Sequence, residues 1–172
     1  YREPALAYLR DSGAAQLEAA AYAEGLIAFY ERQYGEALDK ARLAASEAAW
    51  LYEARKLEGD IYLALGAEDR FRGDYDRALA NLDLAGNAFA AAANIARSDP
   101  TVYDGNCARW IQVIETELRR GDPAPTTFSS ALAACTQSLD VNPDRGDAHD
   151  QPGPQADQRR GVLRARPLSA EE

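Results

Sequence analysis

The chain has 172 residues, enough for one domain with a core, and a net charge of −9. That acidity argues against a nucleic-acid partner, because phosphate binding needs a basic surface. No apolar run approaches the ~20 residues that span a bilayer, so no membrane contact by this segment is expected. Alanine and leucine are abundant and strand formers few, which is an all-helical composition. Methionine is absent, from which a fragment or a processed chain is expected.

Residues 1–13 read as the end of a preceding segment, with Asp11-Ser12-Gly13 as a break. A first helix then runs to about Arg32, with Leu17, Ala21, Gly25, Ala28 and Phe29 on one side. Tyr34-Gly35-Glu36-Ala37 opens a second helix that continues through Ala41 and Ala44. A second pair starts near Trp50. Trp50, Ala54, Leu57, Ile61 and Leu65 recur every three or four residues and form one face. Gly73-Asp74 breaks the helix, and Tyr75, Ala78, Leu82 and Ala85 take up the same spacing beyond it, continuing to Arg97. Gly59 and Ala78 are small where two helices would cross, and Tyr62 and Tyr75 are bulky beside them. Ser98-Asp99-Pro100 ends this pair, with Asp99 as the cap and Pro100 in the first turn of the next helix. A third pair follows. Gly121-Asp122 repeats Gly73-Asp74, which sets Cys107 at the place of Gly59 and Trp110 at the place of Tyr62. Phe128, Ala131, Cys135 and Ser138 then repeat the Tyr75 series, and Asn142-Pro143 stops the helix.

Gly, then Tyr three on, then Tyr-x-x-Ala, Leu and Ala in this order resembles the tetratricopeptide repeat, a helix–turn–helix unit of about 34 residues. The Gly25–Ala37 spacing of 12 residues is that of the family, whereas Gly59–Ala78 is 19, read here as two extra helical turns. The resemblance covers residues 14–150 and implies an all-α, right-handed superhelical stack of antiparallel helix pairs, three in number. Beyond residue 151 three Pro, two Gly and four Arg replace the Ala-rich text, so residues 151–172 are expected to be an irregular or disordered tail, or a stretch read out of frame.

The residues that could carry chemistry are few. Cys107 and Cys135 match no metal-ligand spacing, and both face the contact between helices of one pair. Free thiols acting as small apolar residues are preferred to a disulfide, in keeping with a cytoplasmic setting. His149 is the only histidine and reads as a surface residue. Glu115 with Glu117, or Glu68 with Asp69, could pair as acid and base, but nothing in the pattern marks them as buried. No phosphate-cradling glycine loop and no kinase motif occurs. No enzyme activity, cofactor or metal is therefore expected.

A repeat array works through its concave groove, lined by the first helix of each pair. The resemblance assigns that groove to Tyr22, Leu26 and Phe29 from the first pair and Glu53, Lys56 and Asp60 from the second. Asp60 would repel a peptide carboxylate there. The implied function is scaffolding through a protein or peptide partner. The text from Ala48 to Asp60, with Ala93 to Pro100, is similar to the repeat region of large bacterial serine/threonine protein kinases. That likeness implies a regulatory or sensory role beside a kinase domain; a stand-alone adaptor, or the sensor region of a bacterial transcription regulator, is the alternative.

Overall fold

A computed structural model describes residue 7, residues 19–122 and residues 124–143. These form six helices and no strand: α1 (Ala20–Tyr30), α2 (Tyr34–Glu47), α3 (Tyr52–Arg72), α4 (Tyr75–Ile95), α5 (Pro100–Arg120) and α6 (Pro125–Val141). All six lie in one compact unit that ends at Val141. Apart from residue 7, the segment expected at 1–13 lies outside the described residues, as do the tail at 151–172 and His149.

The helix ends follow local chemistry. Gly73 and Gly121 close α3 and α5 with φ of 83° and 86°, a left-handed conformation that favours a residue without Cβ. The Asp74 carboxylate accepts the Arg77 backbone N–H at 3.2 Å and caps α4. Asp99 does the same for Thr101 at 2.8 Å on α5, whose first residue is Pro100. In the turn between α1 and α2, Arg32 takes a positive φ of 64° without being glycine.

Consecutive helices pack pairwise, and α3 also touches α1 and α5. Within each pair the facing residues descend along one helix as they rise along the other. Gly66 meets Leu82 and Gly59 meets Phe89 in α3–α4; Cys107 meets Cys135 and Asp104 meets Ser138 in α5–α6. The core is built largely of alanine, which lets helices approach closely. It is filled at three points: around Ala44 and Ala54, around Leu57 and Ile61, and around Phe89 with Tyr62 and Val102. The Phe89 ring is 1% exposed and sits between two glycines. A Cβ built on Gly59 would lie 2.6 Å from Phe89 Cε1, and one on Gly105 would lie 2.5 Å from it. Burying such a ring stabilises the fold by roughly 1.5–3 kcal/mol.

Three sequence expectations are corrected. Trp50 does not belong to the apolar face of α3: it precedes the helix in a turn and is 64% exposed. The small residue opposite Ala78 is Gly66 rather than Gly59, since a Cβ on Gly66 would lie 3.3 Å from the Ala78 carbonyl oxygen. Gly66 to Ala78 is 12 residues, the same as Gly25 to Ala37, so no turns are inserted at the crossing. The added length of α3 and α4 lies at the end of the hairpin away from the turn. The cysteines are not free: Cys107 and Cys135 form a disulfide with their Cα atoms 4.6 Å apart. Two residues facing across one hairpin at that distance meet the geometric requirement for a bridge.

Candidate functional site

The predicted groove residues gather on α1 and α3 and are all half-buried. Lys56 Nζ donates to Asp60 at 2.8 Å one helical turn away. Burial raises the Asp60 carboxyl above its ordinary value, and Lys56 opposes that rise. Burial also pushes the Tyr22 phenol up to about 12, with the Glu53 and Asp60 charges adding to it. Tyr22, Glu53, Lys56 and Asp60 therefore share one electrostatic neighbourhood. Leu26 and Phe29 pack instead against the cluster of Ala28, Ala41 and Ile61, and so belong partly to the core. The hydroxyl of Tyr52 donates to Asp99 nearby, and that hydrogen bond pushes the phenol up to about 12. Hydrogen bonds from Thr101 and Tyr52 lower the Asp99 carboxyl.

The acid pairs do not converge on a common space. Glu115 is held by Arg70 at 2.6 Å. Glu117 accepts the Ala124 N–H at 3.1 Å and the Thr127 hydroxyl at 3.0 Å, joining α5 to the start of α6. Glu68 pairs with Arg72. Asp69, against expectation, is buried at 3% exposure and accepts from Asn81 at 2.8 Å and Arg72 at 3.2 Å. Arg77 Nε lies 3.3 Å from Oδ2, the oxygen that also accepts from Asn81. Among the described residues no group of three or more His, Cys, Asp or Glu is placed to hold a metal ion. None of the described helices is long and apolar enough to cross a membrane.

A cleft of about 840 Å³ opens elsewhere, between α4 and α5 with one residue from α6. That volume lies in the range of sites that hold ligands. Asn87 and Asn94 project from α4, Asn106 from α5 and Gln137 from α6. None of these four side-chain amides has a hydrogen-bond partner among the described residues; Asn87, Asn94 and Gln137 are exposed to solvent and Asn106 is half-buried. Tyr103 and Trp110 supply aromatic surface. Arg109 crosses the floor: its Nε donates to the Leu82 carbonyl at 2.6 Å, a terminal nitrogen donates to Asp83 at 2.9 Å, and the guanidinium lies 4.3 Å from the Trp110 ring centre. Gly86 makes this crossing feasible, because a Cβ there would lie 2.7 Å from Arg109 Nε. Arg97 lines the far end, and its guanidinium has no ion-pair partner among the described residues. Only its backbone carbonyl is engaged, by the Tyr103 hydroxyl at 2.9 Å.

Sequence reasoning did not identify this cleft, since it places function on the first helix of each pair. The available signal is the seven-residue spacing of Asn87 and Asn94, which sets two amides on one face of α4 among alanines. Trp110, expected at the buried place of Tyr62, is half-buried on the cleft wall. Comparison of the chain with protein-family models, curated proteins and solved structures finds no match.

Proposed function

We propose that the chain is a docking module of helical-repeat type that holds an extended polypeptide segment in the cleft between α4 and α5. The observation that carries this reading is the set of four unpartnered amides on the cleft wall. An amide side chain offers a donor and an acceptor together, as each residue of a polypeptide backbone does. Asn87 and Asn94 stand about 10.5 Å apart along the axis of α4. Three residues of extended chain cover about 10 Å. Arg97 then receives a carboxylate, against the acidic character of the chain as a whole, and Trp110 receives an apolar side chain. The predicted groove of Tyr22, Leu26, Phe29, Glu53, Lys56 and Asp60 is the weaker choice, because Lys56 is already committed to Asp60.

Selection of random dodecapeptides displayed on phage tests this. Peptides should enrich on the full chain and carry an acidic residue at a fixed position. Asn87→Ala with Asn94→Ala should weaken them about thirtyfold, at roughly 1 kcal/mol per lost hydrogen bond. Failure to enrich any peptide overturns the reading. So does enrichment that Lys56→Glu abolishes and the asparagine variant leaves intact.

The right-handed superhelical arrangement of tetratricopeptide type is part of the same proposal. It is supported by three consecutive helix pairs and by contacts of α3 with both α1 and α5. A host protein of bacterial serine/threonine kinase type, or else an adaptor or transcription regulator, rests on the resemblance of residues 14–150 alone. Sequencing outward from codon 1 tests it through the presence or absence of an upstream kinase catalytic loop.

A further inference from the structure

The disulfide joins α5 to α6, a helix that buries only small and polar side chains. None of the three hydrophobic clusters contains a residue of α6. The face that α6 buries carries Thr127, Ala131, Ala134 and Ser138, all small or polar. Its larger apolar residues, Phe128, Leu132 and Leu139, point outward. Besides the bridge, α6 is tied to α5 by Glu117 at its start and by the Ser138 hydroxyl donating to Asp104 near its end. The helix before it is anchored differently. Gly105 presses on Phe89, Val102 is buried beside it, Arg109 reaches Asp83 at 2.9 Å, Arg70 reaches Glu115 at 2.6 Å, and Arg120 reaches Asp76 at 3.0 Å. Thus α5 has anchors on α3 and α4, whereas α6 packs chiefly on α5. Both cysteines are half-buried rather than sealed in the core. Gln137, the contribution of α6 to the cleft wall, lies two residues from Cys135.

We infer that the Cys107–Cys135 disulfide is a thiol-responsive gate on the docking cleft, which rests on the docking reading above. With the bridge closed, α6 stays on α5 and Gln137 stays at the cleft. With the bridge open, α6 leaves, Gln137 goes with it, and the segment is released. The chemistry is thiol–disulfide exchange with a dithiol reductant. One thiolate of the reductant attacks a cystine sulfur, breaking the protein S–S bond and forming a mixed disulfide. The second thiolate attacks its partner sulfur within the reductant and closes that molecule's own disulfide. Two electrons pass to the cystine, and the two protein thiolates take up the two protons the reductant gave up.

The test uses the full chain in three states: oxidised, reduced with dithiothreitol, and reoxidised. Amide exchange is followed over residues 125–141 and, as internal control, over residues 75–95. A pool of dodecapeptides selected on the oxidised chain is the binding probe. Reduction should speed exchange in α6 about a hundredfold, leave α4 protected, and weaken pool binding at least tenfold, with both effects reversing on reoxidation. Cys107→Ser alone, checked for retained helicity, should bind like the reduced chain whether or not dithiothreitol is present. Exchange in α6 that reduction does not change overturns the gate. So does released α6 with unchanged pool binding, which leaves the docking reading standing. A pool that never enriches on the oxidised chain removes the docking reading and the gate with it.

Discussion

In the α3–α4 hairpin the residues that meet are Gly59, Gly66, Ala78, Leu82 and Phe89; in α5–α6 they are a cystine, Thr127 with Glu117, and Ser138 with Asp104. Both hairpins turn on a left-handed glycine followed by Asp, and their first helices have 21 residues each. Their turns are legible as the same text, yet one hairpin excludes water with a ring and aliphatic side chains, and the other is joined by a covalent bond and polar contacts. A shared Gly-Asp signal and first-helix length therefore do not settle how a pair is held. The contact surface does, and in α6 that surface is Thr127, Ala131, Ala134 and Ser138, small or polar side chains reinforced by the cystine.

The largest effect that sharpens this contrast is expected at Phe89. Phe89→Ala should cost about 4 kcal/mol and lower the melting temperature by roughly 10 °C. Gly59→Ala, disruptive in the native chain, should be tolerated in that background, and a double-mutant cycle should return a coupling of at least ~1 kcal/mol. Next comes the cystine: Cys107→Ser with Cys135→Ser should cost α6 about 3 kcal/mol in urea unfolding, with α3 through α5 unfolding as before. Loss of α6 and of α3–α5 in one transition would remove the contrast. A smaller effect belongs to Asp69. Asp69→Ala should cost about 2 kcal/mol by leaving Asn81 and Arg77 without this acceptor beside the central turn, while Arg72 keeps Glu68. Calorimetry of that variant shows whether the central hairpin also depends on polar contacts.

The smallest effect is at Tyr22, on α1 where it faces α3. Its phenol is pushed up to about 12 from an ordinary value of 10.0. Between those pH values the unfolded chain has released a proton that the folded chain retains. Stability is thus full below pH 10 and falls as pH rises towards 12. Tyr22→Phe should flatten that slope in urea titrations across the interval, and an unchanged slope would show that Tyr22 is not its source.

Much of the helical framework was legible in the sequence. Gly73-Asp74, Gly121-Asp122 and Asp99-Pro100 mark helix boundaries by conformation and capping, which are local properties. What a glycine faces is not local. Gly59 and Gly66 lie on the same helix with the same composition around them, and only the partner helix decides that Gly66 opposes Ala78 while Gly59 makes room for Phe89. Trp50 was misplaced because its spacing extends the apolar series, whereas the chain enters α3 two residues later at Tyr52. The cysteines were placed on facing helices from the sequence; the step missed was that helices closing over small residues bring such a pair within bonding reach. The cleft was missed because its four amides come from three helices and form no run.

The position of Phe89 between Gly59 and Gly105 has a consequence for how the chain divides. The ring belongs to one hairpin but is enclosed only when a helix of the next is present, so the smallest cooperative unit is α3 through α5, out of phase with the helix pairs. A chain ending at Arg120 should retain a single sharp unfolding transition. One ending at Ile95 keeps two whole hairpins yet leaves the ring open to solvent on one side, and its melting should be broad. The seam of the helical stack then falls between α5 and α6, inside a hairpin, and the cystine is the stitch across it.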